Sequence, residues 1–445
     1  MSETKKDMKS KLKKLSPQFK KILKNSSDLA NSLGVKVYLV GGVVRDLILN
    51  KSILDLDIVV EGDAISFAKK LANLLKSDFC GYNSFGTATI SFNQERIDFA
   101  TARTDKYSRS GILPKVFPAC LDKDLLRRDF TINAMAISLN KNNYGKLIDL
   151  YNGMGDLRAG LIRILNNQSF QDDPTRILRA IRFEQRFSFK IESDTFKLVK
   201  EALSQNRLEL VGPHRLRDEV IIILNEKNPY KYIKRINELV GLSFIDKSIK
   251  LDSKSFQLFR KIQESVVYYK KKFKKHPKLD AWLLYLAAIL IKLSPLRASK
   301  FFNDFGFRKK ERDLVCSIIE GKEKIKKLNK DNKASDIYKM LEPYSFEAII
   351  FFYAYYQNKL LRKNIEYFLD KLVDIELKIK GRDLKAMNLK PETLFGKVLE
   401  KTFCFKLDKG LVTKGQEIEQ AKSIFNRQEV ASLLPNRKGL KKSKG

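Results

Sequence analysis

Two aspartates stand one residue apart in Asp55-Leu56-Asp57, at the head of the apolar run LDIVV. Side chains at i and i+2 of a strand share a face, so the two carboxylates project together. Leu56, Ile58 and Val60 line the opposite face, and Val59 continues the carboxylate face into the interior. Like charges this close repel unless a cation or a proton intervenes. Oxygen donors with no histidine nearby suit Mg2+ or Mn2+ better than zinc. Asp98, in RIDFATA, falls on a strand expected beside the first and would complete a carboxylate triad. Upstream, LVGGVVRD sets Gly41-Gly42 between a strand and a helix. Such a turn lets phosphate approach the backbone, and Arg45 adds a positive charge one helical turn on. Taken singly, these are solvated acids and a tight turn; a nucleoside triphosphate bridged by two metal ions to the aspartates explains both at once.

A second constellation is basic. RRDFTINAMA opens with Arg127-Arg128-Asp129, which alone reads as a surface ion-pair cluster. In DDPTRILRAIRF, Pro174 suits the first turn of a helix and Asp172 or Asp173 its cap. Asp173, Arg176, Arg179 and Arg182 then step by three along one side, while Ile177, Leu178 and Ile181 leave the other side apolar. His214, in GPHRL, marks a helix start and carries no catalytic role.

The elements that must position these groups follow from hydrophobic period. Phe19, Ile22, Leu23, Leu29 and Leu33 recur at helical spacing, with Gly34 as a stop. VYLV and LDIVV read as buried strands, VVRDLIL as a short helix and AISFAKKLANLL as an amphipathic one. TATISF and RIDFATA, separated by Asn93-Gln94-Glu95, predict an antiparallel hairpin within a mixed sheet. From Asp173 onward the period is almost wholly helical, with short loops and no internal repeat. The final RKGLKKSKG has no apolar content and predicts a disordered basic end.

Composition bounds the partner. The 445 residues suggest about three domains at roughly 150 residues each. With 87 Lys+Arg against 52 Asp+Glu the net charge is +35, which favours a polyanionic partner. A 43% hydrophobic content excludes a mainly disordered chain, and 21 glycines with 11 prolines favour helix over a turn-rich β architecture. Four scattered cysteines and two histidines give neither a zinc site nor a disulfide framework, so a reducing, cytoplasmic setting is expected. The polar, basic N-terminus has no apolar core of a secretory signal. AWLLYLAAILI is too short for a membrane span and predicts a buried core helix.

LVGGVVRD, DLDIVV, RRDFTINAMA, LIDLYNGMGDLRAGLIRIL, DDPTRILRAIRF and HRLRDEVIIIL, in this order and spacing, resemble the class II tRNA nucleotidyltransferase and bacterial poly(A) polymerase family of the polymerase β superfamily. The resemblance covers residues 36 to about 225 closely and the remainder more loosely. In GRDLKAMNLKPETLFGKVLE, Met387-Asn388 and Glu392 replace residues where glycine or similar is expected. The family implies an α/β plus all-α chain, with a polymerase β-like head and mixed sheet before a long helical neck, body and tail. On this sequence that divides into a helical extension (1–35), head (36–165), neck (166–225), body (226–375), tail (376–435) and basic end (436–445).

By the same resemblance, Asp55 and Asp57 hold two Mg2+ ions and Asp98 is the third carboxylate. Gly42, Arg45 and Arg128 meet the triphosphate and nucleotide, supported by Gly41, Asp129 and Asn133. Asp173 and Arg176 read the Watson–Crick edge of the incoming base, and Arg179 and Arg182 complete the nucleotide site. The implied partners are the acceptor stem and 3′ end of tRNA, ATP and CTP, with no membrane and no protein partner. Full CCA addition and addition of the terminal A both stay open. SFQDDPTRILRAIRFEQRF and Asp105, where many CCA-adding members carry Glu, lean to the A-adding branch. Poly(A) polymerase and a non-catalytic RNA-binding relative are the alternatives, although all three carboxylates are present. A metal-dependent phosphohydrolase is disfavoured because neither histidine is followed by Asp.

Overall fold

A computed structural model describes residues 3–387 and 392–426. Asn388 and the RKGLKKSKG end lie outside the described residues. The chain forms two compact units. One holds the residues up to Ile223 together with Lys231–Phe244, the other holds Leu224–Tyr230 and the residues from Ile245 onward.

The first unit opens with helices α1 (Glu3–Lys13) and α2 (Pro17–Leu33). Ser16 caps α2 by accepting from the Phe19 amide, and Gly34, at φ 65°, ends it where the periodicity predicts. A seven-stranded mixed sheet follows, built from β1 (Lys36–Val40), β2 (Asp55–Glu61), β3 (Asp78–Tyr82), β4 (Thr87–Phe92), β5 (Glu95–Thr101), β8 (Met135–Ser138) and β9 (Leu147–Asp149). A separate hairpin pairs β6 (Arg103–Lys106) with β7 (Lys115–Pro118). The order β3-β4-β5-β2-β1-β8-β9 places β2 at the centre, antiparallel to β1 and parallel to β5. The β4–β5 hairpin turns on Asn93 and Gln94, both at positive φ, which matches the twist a two-residue loop requires.

Helices α3 (Gly42–Ile48) and α4 (Ala64–Leu75) follow β1 and β2. Asp63 caps α4, accepting from the Ile65 and Ser66 amides. The short helices α5 (Leu121–Leu126), α6 (Gly153–Ala159) and α7 (Ser169–Asp172) lead into α8 (Thr175–Phe187), α9 (Ser193–Ser204) and α10 (Pro213–Leu224). One feature departs from the helical reading of this stretch: Leu161–Ile162 pairs in parallel with Lys190–Ile191, two residues each and too short to show a period. Phe130 is fully buried edge-on against Phe183 of α8, with ring centroids 5.8 Å apart. Burying such a ring contributes roughly 2–3 kcal/mol and docks α8 beside Arg127–Asn133.

Every regular element described in the second unit is helical. Ala281–Leu290 forms one of its helices, and its side chains from Leu283 to Leu290 are all buried, as expected of a core segment. Among the described residues no helix is long and apolar enough to cross a membrane.

Candidate active site

Pleating and register assemble the carboxylates. The parallel pairing of β2 with β5 sets Asp57 opposite Asp98 and Asp55 opposite Arg96. Asp57 is exposed to solvent yet has the charges of Asp55, Asp98, Arg96 and Arg128 around it. Loss of solvation first, then the Asp55 carboxylate, push its pKa up to about 6, with Asp98 adding to the rise and Arg128 opposing it. Asp98 accepts from Thr89 Oγ1 at 2.6 Å and from Arg96 Nε at 2.9 Å. This oxygen-only, charge-crowded set suits a hard divalent cation. Among the described residues no three Asp, Glu, His or Cys side chains converge tightly enough to hold a metal ion. An ion at Asp55 and Asp57 would therefore keep positions open for other oxygens.

The Gly41-Gly42 turn leads from β1 into α3. Gly41 has φ 71°, and a Cβ there would lie 2.8 Å from Arg128 Nη1, so both the backbone and the neighbouring cation require glycine. Arg45 is 4% exposed. Its Nε and Nη2 donate to Asp46 and its Nη1 to Asn133 Oδ1 at 2.5 Å, while its guanidinium stacks over Phe183 and Phe187. In this structure Arg45 braces α3 against α8, and most of its donors are already engaged.

Arg127 and Arg128 follow α5, three and four residues after Asp124, and both pair with its carboxylate. Burial alone would raise the pKa of Asp124, but Arg128 and Arg127 outweigh it and hold the group below the usual carboxylate range. Arg127 also reaches Asp105 at 3.4 Å.

Asp129 anchors a second network. It accepts from Asn133 Nδ2 at 2.9 Å and from Arg179 Nη2 at 2.6 Å, and Arg179 and Arg182 share Glu219 of α10 at 3.1 and 3.3 Å. Two arginines of the side of α8 expected to be a charged stripe are inside the fold, Arg176 and Arg182 at 6% exposed each, while Arg179 between them is partly exposed. Burial would raise the pKa of Asp129, yet Arg179, with the Asn133 hydrogen bond, depresses it to about 2. A depressed folded-state pKa gives stability that is present above the unfolded value near 4 and lost as pH falls towards 2. We therefore expect thermal stability to drop on acidification through that window, by on the order of 2 kcal/mol for this group. Asp129→Asn should flatten that part of a melting-temperature profile; an unchanged profile refutes the assignment.

Base-edge candidates meet at the start of α8. Asp173 Oδ1 accepts from the Thr175 amide and hydroxyl, and its Oδ2 pairs with Arg215 Nη2 at 2.7 Å. Arg176 donates to Ser169 Oγ and to the Arg127 carbonyl, each at 2.7 Å. A cleft of about 640 Å³ joins Gly41, Gly42, Arg45, Asp57, Arg128, Asp129, Asn133, Asp173, Arg176, Arg179 and Arg182. That volume is in the range that takes a nucleotide-sized ligand. Asp98 faces an adjoining depression with Thr89 and Arg96, which Asp57 and Arg128 also line. Asp55 lines neither of these. Sequence reasoning missed Arg215 and Glu219, which line the cleft, and Asp124, which holds Arg127 and Arg128. Only Asp124 had a local signal, its i+3 and i+4 spacing to the two arginines.

A model of the poly A polymerase head domain matches residues 37–163. The chain is 32% identical over 408 residues to an A-adding tRNA nucleotidyltransferase of Geobacter sulfurreducens, covering 90% of this chain and 46% of the relative. Against the A-adding tRNA nucleotidyltransferase of Aquifex aeolicus it is 34% identical, again spanning under half (44%) of that relative's length. With the A-adding tRNA nucleotidyltransferase of Halalkalibacterium halodurans it shares 30% identity, covering 92% of this chain and 93% of the relative. Among solved structures, the Thermotoga maritima CCA-adding enzyme complexed with tRNA superposes with a TM-score of 0.74 at 31% identity, over 96% of this chain and 98% of that one. A CCA-adding enzyme in complex with ATP gives a TM-score of 0.77 at 31% identity, also over 96% and 98%.

Proposed function

The chain belongs to the tRNA nucleotidyltransferase family, and from that premise we propose that it transfers AMP from ATP to the 3′-hydroxyl of tRNA, adding the terminal A. The observation that carries the reading is the single cleft joining Asp57, the Gly41-Gly42 turn and the Asp173–Arg176 helix start. The 3′ oxygen of the RNA attacks the α-phosphorus, the bond to the β-phosphate oxygen breaks, and diphosphate leaves. Nucleotidyltransferases of this kind use divalent metal ions. Here Asp55 and Asp57 would hold Mg2+, two ions in all (Mn2+ also suits the donors), supplying activation of the 3′-hydroxyl and charge neutralisation of the triphosphate.

Asp98, once freed from Arg96, would accept the hydroxyl proton or serve as a further carboxylate ligand for the metal. Gly42 and Arg128 receive the triphosphate, and Arg179 and Arg182 extend the positive wall. Asp173 accepts from the exocyclic amine of the base, and Arg176 donates to its unprotonated ring nitrogen, a pairing that A and C offer and G and U do not. Full CCA addition is the second reading, supported by the solved CCA-adding enzymes that match almost end to end.

End-labelled tRNA ending in CC, or lacking CCA, incubated with ATP, CTP or both, separates the readings by product size. One added A on tRNA-CC, with no growth of the shorter tRNA in CTP, supports A addition. Growth by three nucleotides shows a CCA-adding enzyme, a long tail a poly(A) polymerase, and no product a non-catalytic relative. The site of action expected is the cytoplasm.

The +35 charge predicts that tRNA binding depends steeply on salt. If about six to ten phosphates are neutralised, affinity should fall by roughly 10³–10⁵ between about 50 and 200 mM salt. A flat plot of log K against log salt would mean that the lysines are spread over the surface without meeting the RNA.

A further inference from the structure

We propose that Asp124 is a positioning residue for catalysis, aiming Arg128 at the triphosphate of the incoming nucleotide. The inference rests on the reading above that the cleft takes a nucleoside triphosphate.

Asp124 is 0% exposed, and its two oxygens are divided between two guanidiniums. Oδ1 takes the Nε and Nη2 edge of Arg127 at 3.0 and 2.6 Å, and Oδ2 takes the same edge of Arg128 at 3.2 and 2.8 Å. Side-on pairing of this kind fixes the plane of each guanidinium and leaves Nη1 to project away from the carboxylate. For Arg128, Nη1 then stands over the Gly41 turn, where even a methyl group at Gly41 would meet it at 2.8 Å. Arg128 also borders both the nucleotide cleft and the depression that holds Asp57 and Asp98. For Arg127, Nη1 points to Asp105 and its backbone carbonyl accepts from Arg176, so the same carboxylate steadies a neighbour of the base-reading arginine.

Stability alone is a weak reason for such a cluster. Buried ionic triads can often be replaced by packed apolar residues with no loss. What an apolar replacement cannot do is hold a cation in one orientation beside the turn and the aspartates.

The test compares binding of ATP and AMP in Mg2+, by titration calorimetry, to the wild type and to Asp124→Asn, Arg128→Ala and the double variant, each checked by thermal melting. The wild type is expected to prefer ATP. Asp124→Asn, near-isosteric but uncharged, should weaken ATP at least tenfold and AMP less than threefold. Adding Arg128→Ala to it should change the ATP/AMP ratio little further, because coupled residues do not add. If Asp124→Asn weakens both ligands equally while Arg128→Ala collapses the ratio, Asp124 is only a strut and the proposal is overturned. If Arg128→Ala leaves the ratio intact, the triphosphate reading of Arg128 falls, and the proposal with it. Should Asp124→Asn not fold, Arg128→Lys decides, since it keeps the charge and loses the side-on pair. A lost ATP preference then supports positioning by Asp124, and a retained one overturns it.

Discussion

Asp57→Ala should abolish nucleotide incorporation, with a fall of at least about 10³-fold, while tRNA affinity changes less than about twofold. Asp57 is the carboxylate on which the crowding is greatest, flanked by Asp55 on its own strand face and by Asp98 across the parallel register. Loss of solvation first, then the Asp55 and Asp98 charges, raise its pKa, and a divalent cation would offset that repulsion. On the reading proposed above, removing the side chain takes away one of the two carboxylates that would hold the metal, and among the described residues no ready-made cluster of three such groups replaces it. The proposed tRNA binding rests on the net charge of +35, which one side chain barely changes, so it should survive. Single-turnover incorporation in saturating Mg2+, beside a filter-binding measurement, reads the two effects separately. Near-normal turnover in the variant would remove Asp57 from the reaction, and a matching loss of tRNA affinity would make the defect structural. Asp55→Ala should behave alike, because the two carboxylates share a face.

Asp173→Ala should relax base choice. Its carboxylate is the acceptor at the start of α8, and a site built on hydrogen bonds rejects a mismatched partner by several kcal/mol, since its polar groups would be left unpaired. We expect misincorporation of GTP and UTP, relative to ATP, to rise by about 100-fold or more. The structure adds a second expectation. Asp173 also caps α8 through Thr175 and holds Arg215, so the variant should lose about 1 kcal/mol of stability as well. Incorporation with each nucleotide supplied alone, run below the variant's melting range, distinguishes the two. If all nucleotides decline together and selectivity is kept, Asp173 is a helix cap and not a base reader.

Much of this was legible in the chain, because it is local. Alternation in DLDIVV told which face carries the aspartates, the strand–Gly-Gly–helix order located the turn, and Asn93-Gln94-Glu95 marked the hairpin, although Glu95 proves to be the first residue of β5. The buried Ala281–Leu290 helix followed from its length and composition. Each of these depends on residues within a few positions of one another, where backbone geometry alone decides which side chains share a face.

The state of the arginines was not legible. The spacing of Arg176, Arg179 and Arg182 is the same whether they face water or the interior. It is packing that buries Arg176 and Arg182 and supplies Glu219, forty residues beyond Arg179. Arg45 likewise finds Asn133 88 positions away, and Asp173 finds Arg215 at a distance of 42. A sequence displays the charge of such a group and its neighbours along the helix. Which acid it meets, and whether its donors stay available to a ligand, is set by the helices and strands that folding brings alongside, because a buried cation persists only where tertiary contacts provide its counter-charge.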